Sequence, residues 1–225
     1  MAKLIPSILT KDPEEIHEKI RFLEQIPELA EIQIDFADGK FVSNELAYPR
    51  DIGKLDTRLA LEAHLMVQRP QDYFHDLEFL GVQTVFLHHE SFHSNEQVGI
   101  ALRNLRHLGF RCGLAVNPST EIAVFDQFVD HLDEALLMGV YPGLQGQEFI
   151  AETLERVAAL RKRHPNVIIE VDGGIKLFNV ESIVGYGADK VNVGSGIWQT
   201  PDPKKTISEF LRLLRSTNLY ESTKK

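Results

Sequence analysis

Cysteine is almost absent from this chain: its 225 residues include one, Cys112. A single cysteine cannot form a disulfide within the chain, and no Cys and His pattern with metal-ligand spacing surrounds it. We expect Cys112 to pack as a small apolar side chain and not to act as a nucleophile. The cysteine content favours a reducing, cytoplasmic location.

Long apolar runs and an excess of positive charge are also absent. The longest apolar runs, such as residues 135–140, are far shorter than the roughly 18 residues that a membrane span needs. Residues 1–6 are too short and too soon polar for a signal peptide. The chain has 33 acidic and 24 basic side chains, a net charge of −9, which argues against a nucleic-acid surface. The sequence therefore predicts neither a membrane nor a nucleic-acid partner.

Short β-branched segments alternate with amphipathic segments along the whole chain. The predicted strands are residues 3–9, 31–36, 60–67, 83–88, 111–116, 135–140, 167–172 and 190–194. The predicted helices are residues 12–25, 70–80, 95–108, 121–128, 147–164, 178–185 and 202–215. Such alternation predicts parallel strands joined by right-handed crossovers.

Eight strands in a chain of this length favour a closed (β/α)₈ TIM barrel over an open doubly wound sheet. No GxGxxG motif follows an early strand, and no GxxxxGK[ST] motif is present. No linker or low-complexity segment divides the chain. We therefore expect one α/β domain over residues 1–225, with a polar, frayed tail at 216–225.

A barrel also predicts which residues of each strand point inwards. The outward positions, such as Ile34 and Val171, are uniformly apolar, whereas polar residues concentrate at inward positions. Active sites of this fold lie at the carboxyl ends of the strands. The inward residues at those ends are the candidate site: Asp35, His64, His88, Asn117, Asp172 and Gly194.

Asp35 and Asp172 lie on the second and seventh strands, so their carboxylates can approach a small ligand from two sides, as an acid and a base would. His64 on the third strand neighbours Asp35, and the three side chains together are suited to a divalent cation. The alternative is structural: they cap helices or pair with Lys176 and Lys190. Deeper in the barrel, an ion cluster without a catalytic role is predicted for Glu62, Arg111, Glu170 and Lys190.

Two glycine-containing loops predict a phosphate site. Residues 172–175 read DGGI and residues 194–197 read GSGI, after the seventh and eighth strands. Glycine lets an anion approach backbone N–H groups, and Ser195 adds a hydroxyl donor. Alternatively, the glycines only turn the chain. Residues 141–147 are predicted to close over a ligand as a lid, with a simple connector as the alternative.

Taken together, these segments resemble the ribulose-phosphate 3-epimerase family. The segments that carry the resemblance, in the family's order, are 5–9 (IPSIL), 34–42 (IDFADGKFV), 63–66 (AHLM), 116–118 (VNP), 142–149 (PGLQGQEF), 170–175 (EVDGGI) and 194–195 (GS). The resemblance implies a metal-dependent isomerase that acts on a phosphoketose, such as D-ribulose 5-phosphate, and inverts the carbon beside the carbonyl. The inversion would proceed through an enediolate and give D-xylulose 5-phosphate.

The resemblance also implies roles for single residues. Asp35 and Asp172 would transfer the protons, and they would bind one divalent zinc, iron, manganese or cobalt ion together with His64 and Gln33. The implied substrate site comprises Ser7, His64, Met66, Asn117, Met138, Gly143, Leu144, Gln145, Gly146, Gly173, Gly174, Gly194 and Ser195. The implied partner is a small phosphorylated sugar, and a homo-oligomer would fit the family.

Three positions depart from the family's pattern. Gln33 stands where the family usually has histidine, and an amide oxygen is a weaker ligand for zinc or iron than imidazole. Ala37 replaces a methionine beside the reacting centre, and residues 144–145 replace Phe-Gly in the lid. These departures leave an alternative function open, a non-catalytic phosphosugar-binding barrel with a weakened metal site.

Overall fold

The computed structural model describes residues 2–222, with side chains as far as Thr217. Eight parallel strands pair in chain order, and the first closes on the eighth. The strands are Lys3–Ile8 (β1), Glu31–Ala37 (β2), Ala60–Met66 (β3), Thr84–His88 (β4), Arg111–Val116 (β5), Glu134–Met138 (β6), Ile168–Asp172 (β7) and Lys190–Val193 (β8). The predicted TIM barrel is confirmed, and every strand lies where the sequence indicated.

The helices lie outside this barrel. Their bounds are Pro13–Glu24 (α1), Pro49–Ile52 (α2), Phe74–Leu80 (α3), Asn95–His107 (α4), Glu152–Arg163 (α5), Val180–Gly185 (α6), Ser195–Trp198 (α7) and Pro203–Ser222 (α8). Residues 216–225 were expected to form a frayed tail. The structure places residues 216–222 in α8, and residues 223–225 lie outside the described part of the chain.

Three predicted helices differ from the structure. Residues 70–73 of the helix predicted at 70–80 form a 3₁₀ turn before α3. In place of the α-helix predicted at 121–128, short 3₁₀ turns form at Ile122–Gln127 and Val129–His131, and no side chain caps their start. The helix predicted from residue 147 begins only at Glu152. The side chain of Gln147 donates to the carbonyl oxygens of Tyr141 and Leu144, which holds this residue in the preceding loop.

Strand residues of alternate parity pack against the helices. Outward residues such as Ile34 and Val171 are fully buried in the main apolar core. Helix α1 contributes Ile16, Ile20 and Leu23, which lie on one face because of their spacing. The predicted division into an apolar outer face and a polar inner face is therefore confirmed.

The lower half of the barrel interior holds the predicted ion cluster. The Lys190 ammonium contacts Glu62 and lies 2.7 Å from carboxylate oxygens of both Glu31 and Glu134. Glu170 is farther, at 3.9 Å. Burial raises the pKa of Glu62 to about 8, although the neighbouring ammonium opposes this rise. The cluster is larger than predicted, because Glu31 and Glu134 also belong to it.

Cys112 is fully buried, and burial raises the pKa of its thiol to about 11. A thiol of this kind is a poor nucleophile, as the sequence led us to expect. Within residues 2–222, every helix is too short or too polar to cross a lipid bilayer.

The buried cluster predicts a large difference between two lysines that share Glu31. Lys190→Met should lower the free energy of unfolding by about 3–5 kcal/mol, because it leaves buried carboxylates without their cation. Lys3→Met should change it by less than about 1 kcal/mol, because the Lys3 side chain is 55% exposed. Urea denaturation of both variants measures the difference. A loss below about 1 kcal/mol for Lys190→Met would contradict a stabilising role for this lysine.

Candidate active site

A small cavity of about 50 Å³ opens at the carboxyl ends of the strands. It is lined by most residues of the predicted site: Ser7, Asp35, His64, Met66, Met138, Gly143, Leu144, Gln145, Gly146, Asp172, Gly173, Gly174, Gly194 and Ser195. It is also lined by residues that were not predicted: Leu9, Val140, Pro142, Gln147, Ile175 and Asn192. The barrel therefore brings both acids, the histidine and both glycine loops to one place.

His64 lies between the two aspartates. Its Nδ1 is 3.0 Å from Asp35 Oδ1 and 3.4 Å from Asp172 Oδ2. The strand register pairs Asp35 directly with His64, and all three residues are buried. One ligand atom from each lies within 4.8 Å of the others, so the set offers a divalent cation two carboxylate oxygens and one imidazole nitrogen.

Gln33 reaches the same site but presents its amide nitrogen. Nε2 donates to Asp35 Oδ1 at 2.8 Å and to Asp172 Oδ2 at 3.1 Å. The amide oxygen is buried and has no hydrogen-bond partner among the described residues. A half-turn of the amide would bring that oxygen to the carboxylates, an arrangement that is stable only with a cation between them. The donor set therefore fits a metal, with Gln33 as a ligand only after this rotation.

Burial and mutual contact shift the pKa values of this group. Burial raises the pKa of Asp35, and the Asp172 charge raises it further, against the hydrogen bonds from His64 and Gln33. Burial opposes the charged form of His64, but its hydrogen bonds with Asp172 and Asp35 outweigh burial and raise its pKa to about 9. A protonated imidazole therefore balances the two carboxylates when no cation is bound.

A chain of hydrogen bonds continues from His64 away from the cavity. His64 Nε2 lies 2.8 Å from His88 Nε2, and His88 Nδ1 lies 3.2 Å from Glu90 Oε2. Glu90 Oε1 accepts from the Asn117 N–H at 2.8 Å and from the Thr120 hydroxyl. Burial lowers the pKa of His88 to about 4. Burial would raise the pKa of Glu90, but its hydrogen bonds, above all with His88, lower it to about 2.

Asn117 is the predicted substrate-binding residue that lies outside the cavity lining. Its N–H is bound to Glu90, and its carbonyl oxygen accepts from Arg156 Nη2 at 2.9 Å. The residue follows β5 as predicted, but these backbone bonds fix it behind His88, at the far side of the hydrogen-bond chain. Its side-chain Oδ1 is buried without a hydrogen-bond partner within residues 2–222, so its predicted role in substrate binding stays a prediction.

The glycine loops form the other end of the cavity. Gly173 and Gly174 have φ values of +99° and +71°, which side chains rarely adopt. A Cβ at Gly194 would lie only 2.8 Å from Gln145 Nε2 and from Ser7 Oγ. The Gln145 side chain of the predicted lid therefore lies directly against the strand end at Gly194.

Lys176 adds a positive charge beside these loops. Its Nζ donates to Ser195 Oγ at 2.9 Å, and burial lowers its pKa. It contacts the serine of the second glycine loop. The structural alternative, in which Lys176 pairs with an aspartate of the site, is not seen among the described residues. The sequence analysis did not assign Lys176 or Glu90 to the site. The available signals were their positions, two residues after Gly174 and two residues after His88.

Residues 141–147, the predicted lid, lie over the cavity and are bound to a neighbouring loop. Asn44, in the segment after β2, donates to the carbonyl oxygen of Gly143 at 3.0 Å. The Gln145 side chain extends into the cavity, where its Nε2 is buried without a partner within residues 2–222. An unpaired buried donor of this kind is ready to bind an acceptor on a ligand.

Comparison with known proteins identifies the family of this chain. The profile described as the Ribulose-phosphate 3 epimerase family matches residues 3–198. Ribulose-phosphate 3-epimerase of Aquifex aeolicus is 34% identical, covering 96% of this chain and 98% of its own length. The enzyme of the same name from Schizosaccharomyces pombe is 30% identical, with coverage of 92% and 91%. Among solved structures, 3-hexulose-6-phosphate synthase from Salmonella typhimurium shares the fold, with a TM-score of 0.69, 15% identity and coverage of 96% and 100%.

The lowered pKa of Glu90 predicts a pH-dependent stability difference. A carboxyl group whose pKa is about 2 in the folded state, against 4.5 ordinarily, stabilises the fold above pH 4.5 and loses this effect as the pH falls towards 2. The wild type should therefore be more stable than Glu90→Gln at neutral pH. The difference between their free energies of unfolding should decrease by about 2 kcal/mol from about pH 7 to about pH 3. Denaturant titrations across this range measure it, with the exposed Glu96→Gln as control. A pH-independent difference would contradict the assignment.

Proposed function

The chain belongs to the ribulose-phosphate 3-epimerase family, a family of isomerases, and from this premise we propose that it inverts D-ribulose 5-phosphate at C3 to give D-xylulose 5-phosphate. One observation carries the proposal. Asp35 and Asp172 line a single cavity on β2 and β7, and His64 and Gln33 link their carboxyl groups.

Two carboxyl groups on different sides of a ligand account for inversion. One carboxylate removes the C3 proton and leaves an enediolate, and the other carboxyl group returns a proton to the opposite face. Burial and the neighbouring Asp172 raise the pKa of Asp35, which favours the uptake of a proton by this carboxylate relative to an exposed aspartate. A single base would return the proton to the face from which it came, so the second acid is what turns exchange into epimerisation.

A divalent cation fits the same residues. Asp35, His64 and Asp172 would hold it, and Gln33 would join them through its oxygen once the amide has turned. When bound, the cation polarises the substrate carbonyl and stabilises the negative charge of the enediolate. Zinc, iron, manganese and cobalt all suit this donor set, and the neutral amide favours a harder ion such as manganese.

The remaining residues position the sugar phosphate. Met66 and Met138 are apolar cavity walls that exclude water from the reacting carbon. The backbone around Gly173, Gly174 and Gly194 would bind the phosphate. Such a local site can bind an anion although the chain carries a net charge of −9, because nearby donors and cations dominate at contact distance.

Lys176 would act at the phosphate together with Ser195. The two side chains are already hydrogen-bonded, so a phosphate oxygen that reaches Ser195 also comes within reach of the ammonium. Lys176 is only partly buried, so it can follow the ligand. We therefore place it among the phosphate-binding residues.

The lid must open for substrate to enter. The closed cavity of about 50 Å³ is far smaller than the roughly 300 Å³ of the smaller ligand pockets in proteins. Moving residues 143–146 outwards would uncover Gly194 and remove the Gln145 side chain from the cavity. Closure over the ligand would then give the buried Gln145 amide an acceptor on the substrate and exclude water.

Solvent isotope incorporation tests the proposal directly. Incubation with D-ribulose 5-phosphate in D₂O, with each candidate divalent metal in turn, should give D-xylulose 5-phosphate with deuterium at C3, detected by NMR and mass spectrometry. Asp35→Asn and Asp172→Asn should each reduce turnover by at least about 100-fold, because each removes a proton-transfer group.

The exposed Asp56→Asn variant controls for a general loss of charge. Binding of the sugar phosphate without deuterium incorporation under any metal would refute the epimerase and favour a phosphosugar-binding barrel. Retained inversion in either active-site variant would refute the two-carboxylate mechanism.

Lys176→Met tests the phosphate site. The variant should raise KM for D-ribulose 5-phosphate by about 10-fold, the equivalent of one lost charge-assisted contact, with little change in kcat. Lys162→Met, an exposed lysine on α5, is the matched control and should leave KM unchanged. Equal KM values for the two variants in steady-state kinetics would remove Lys176 from the phosphate site.

A further inference from the structure

We propose that His88 and Glu90 are positioning residues that set the tautomer of His64, so that its Nε2 carries hydrogen and its Nδ1 is the atom available to a cation. The inference concerns two residues outside the cavity lining. It rests on the proposed function only in treating His64 as a cation ligand. The proton positions themselves follow from the hydrogen-bond chain that leads from Glu90 to His64.

Glu90 determines the direction of the chain. Its Oε1 accepts from the Asn117 N–H and the Thr120 hydroxyl, which fixes the orientation of the carboxylate. The other oxygen, Oε2, lies 3.2 Å from His88 Nδ1. A carboxylate can only accept, so His88 must place a hydrogen on Nδ1.

The position of the hydrogen on His88 determines the position of the hydrogen on His64. The two Nε2 atoms are 2.8 Å apart, a distance that requires one hydrogen between them. His88 has no exposed surface, so a second proton would place a charge where water cannot reach it. The His88 Nε2 therefore has the lone pair, and His64 supplies the hydrogen.

The opposite arrangement leaves an unfavourable contact. If His88 donated from Nε2 as a neutral ring, its Nδ1 lone pair would face the Glu90 carboxylate, and two acceptors would meet at 3.2 Å. Thr120 and Asn117 hold Glu90 from the other side, so the carboxylate cannot turn away. His64 therefore donates to His88, and His88 donates to Glu90. This direction gives each ring nitrogen of His88 a hydrogen-bond partner.

The consequence lies at the cavity. Without a cation, Nδ1 also carries hydrogen, because it faces Asp35 at 3.0 Å and Asp172 at 3.4 Å. With hydrogen fixed on Nε2, Nδ1 is the nitrogen that presents its lone pair when a cation takes the place of that hydrogen. A ligand histidine that donates its second nitrogen to a fixed acceptor is held in one orientation and is more basic. This support would partly offset the weaker fourth ligand that Gln33 offers.

Nitrogen-15 NMR of the metal-free protein reads the proton positions without any turnover. The wild type should show His88 neutral, with hydrogen on Nδ1, and His64 Nε2 should carry hydrogen both before and after zinc is added. Observation of hydrogen on His88 Nε2 in the wild type would overturn the proposal, whatever the stability of any variant.

Glu90→Gln should reverse the chain. The introduced amide keeps its oxygen towards the Asn117 N–H, so its NH₂ group meets His88 Nδ1, which then has to accept. Hydrogen moves to His88 Nε2, and His64 loses its acceptor. We expect the nitrogen-15 signals of His88 to show hydrogen on Nε2 instead of Nδ1, and zinc affinity to fall by about 10–100-fold. His89→Gln is the matched control, because the His89 ring contacts Asn95 and not His64.

A pair of substitutions at His88 separates hydrogen bonding from packing. His88→Gln retains an acceptor for His64, whereas His88→Leu removes it. Zinc affinity, measured by competition with a chelating dye, should fall by about 10–100-fold in His88→Leu and largely recover in His88→Gln. Equal losses in both variants would assign His88 a packing role and overturn the proposal. Absence of epimerisation with the stated tautomers would refute the proposed function alone.

Discussion

Ionisable groups inside this barrel must be paired with an opposite charge or take up a proton, as the raised pKa values of Glu62 and Glu170 indicate, and this constraint organises the interior. At the lower level, one ammonium, that of Lys190, lies among four glutamates. At the upper level, His64 lies between two aspartates. Polar atoms without partners remain at both levels, and those of the upper level lie beside the cavity that Asp35, His64 and Asp172 line. Since buried polar groups are normally paired, these upper atoms mark where a ligand completes the structure.

Most of the fold and the central triad could be predicted from the sequence, for one physical reason. Side chains alternate between the two faces of a strand, so apolar Ile34 and polar Asp35 must lie on opposite sides of the barrel wall. The same rule places His64 and Asp172 inside. Since parallel strands end at one mouth, these residues meet there without further information about loops.

Loop paths and amide orientations could not be predicted from the sequence, because no periodicity governs them. Glu90 and Lys176 follow strands by two or more residues, and only the folded loops direct one to His88 and the other to Ser195. Asn117 was placed at the correct strand end, yet its backbone bonds hold it outside the cavity. The Gln33 amide was expected to offer oxygen and instead donates nitrogen, because the carboxylates are nearby acceptors.

The hydrogen bond from Asn44 to Gly143 joins two loops that are distant in the chain. One of these loops follows the strand that carries Asp35, and it is closed on itself by a bond from the Gly39 N–H to the Asn44 carbonyl oxygen. The other is the lid. Displacement of residues 143–146 would therefore break a bond to the segment that follows the strand of Asp35, so the two loops are mechanically linked.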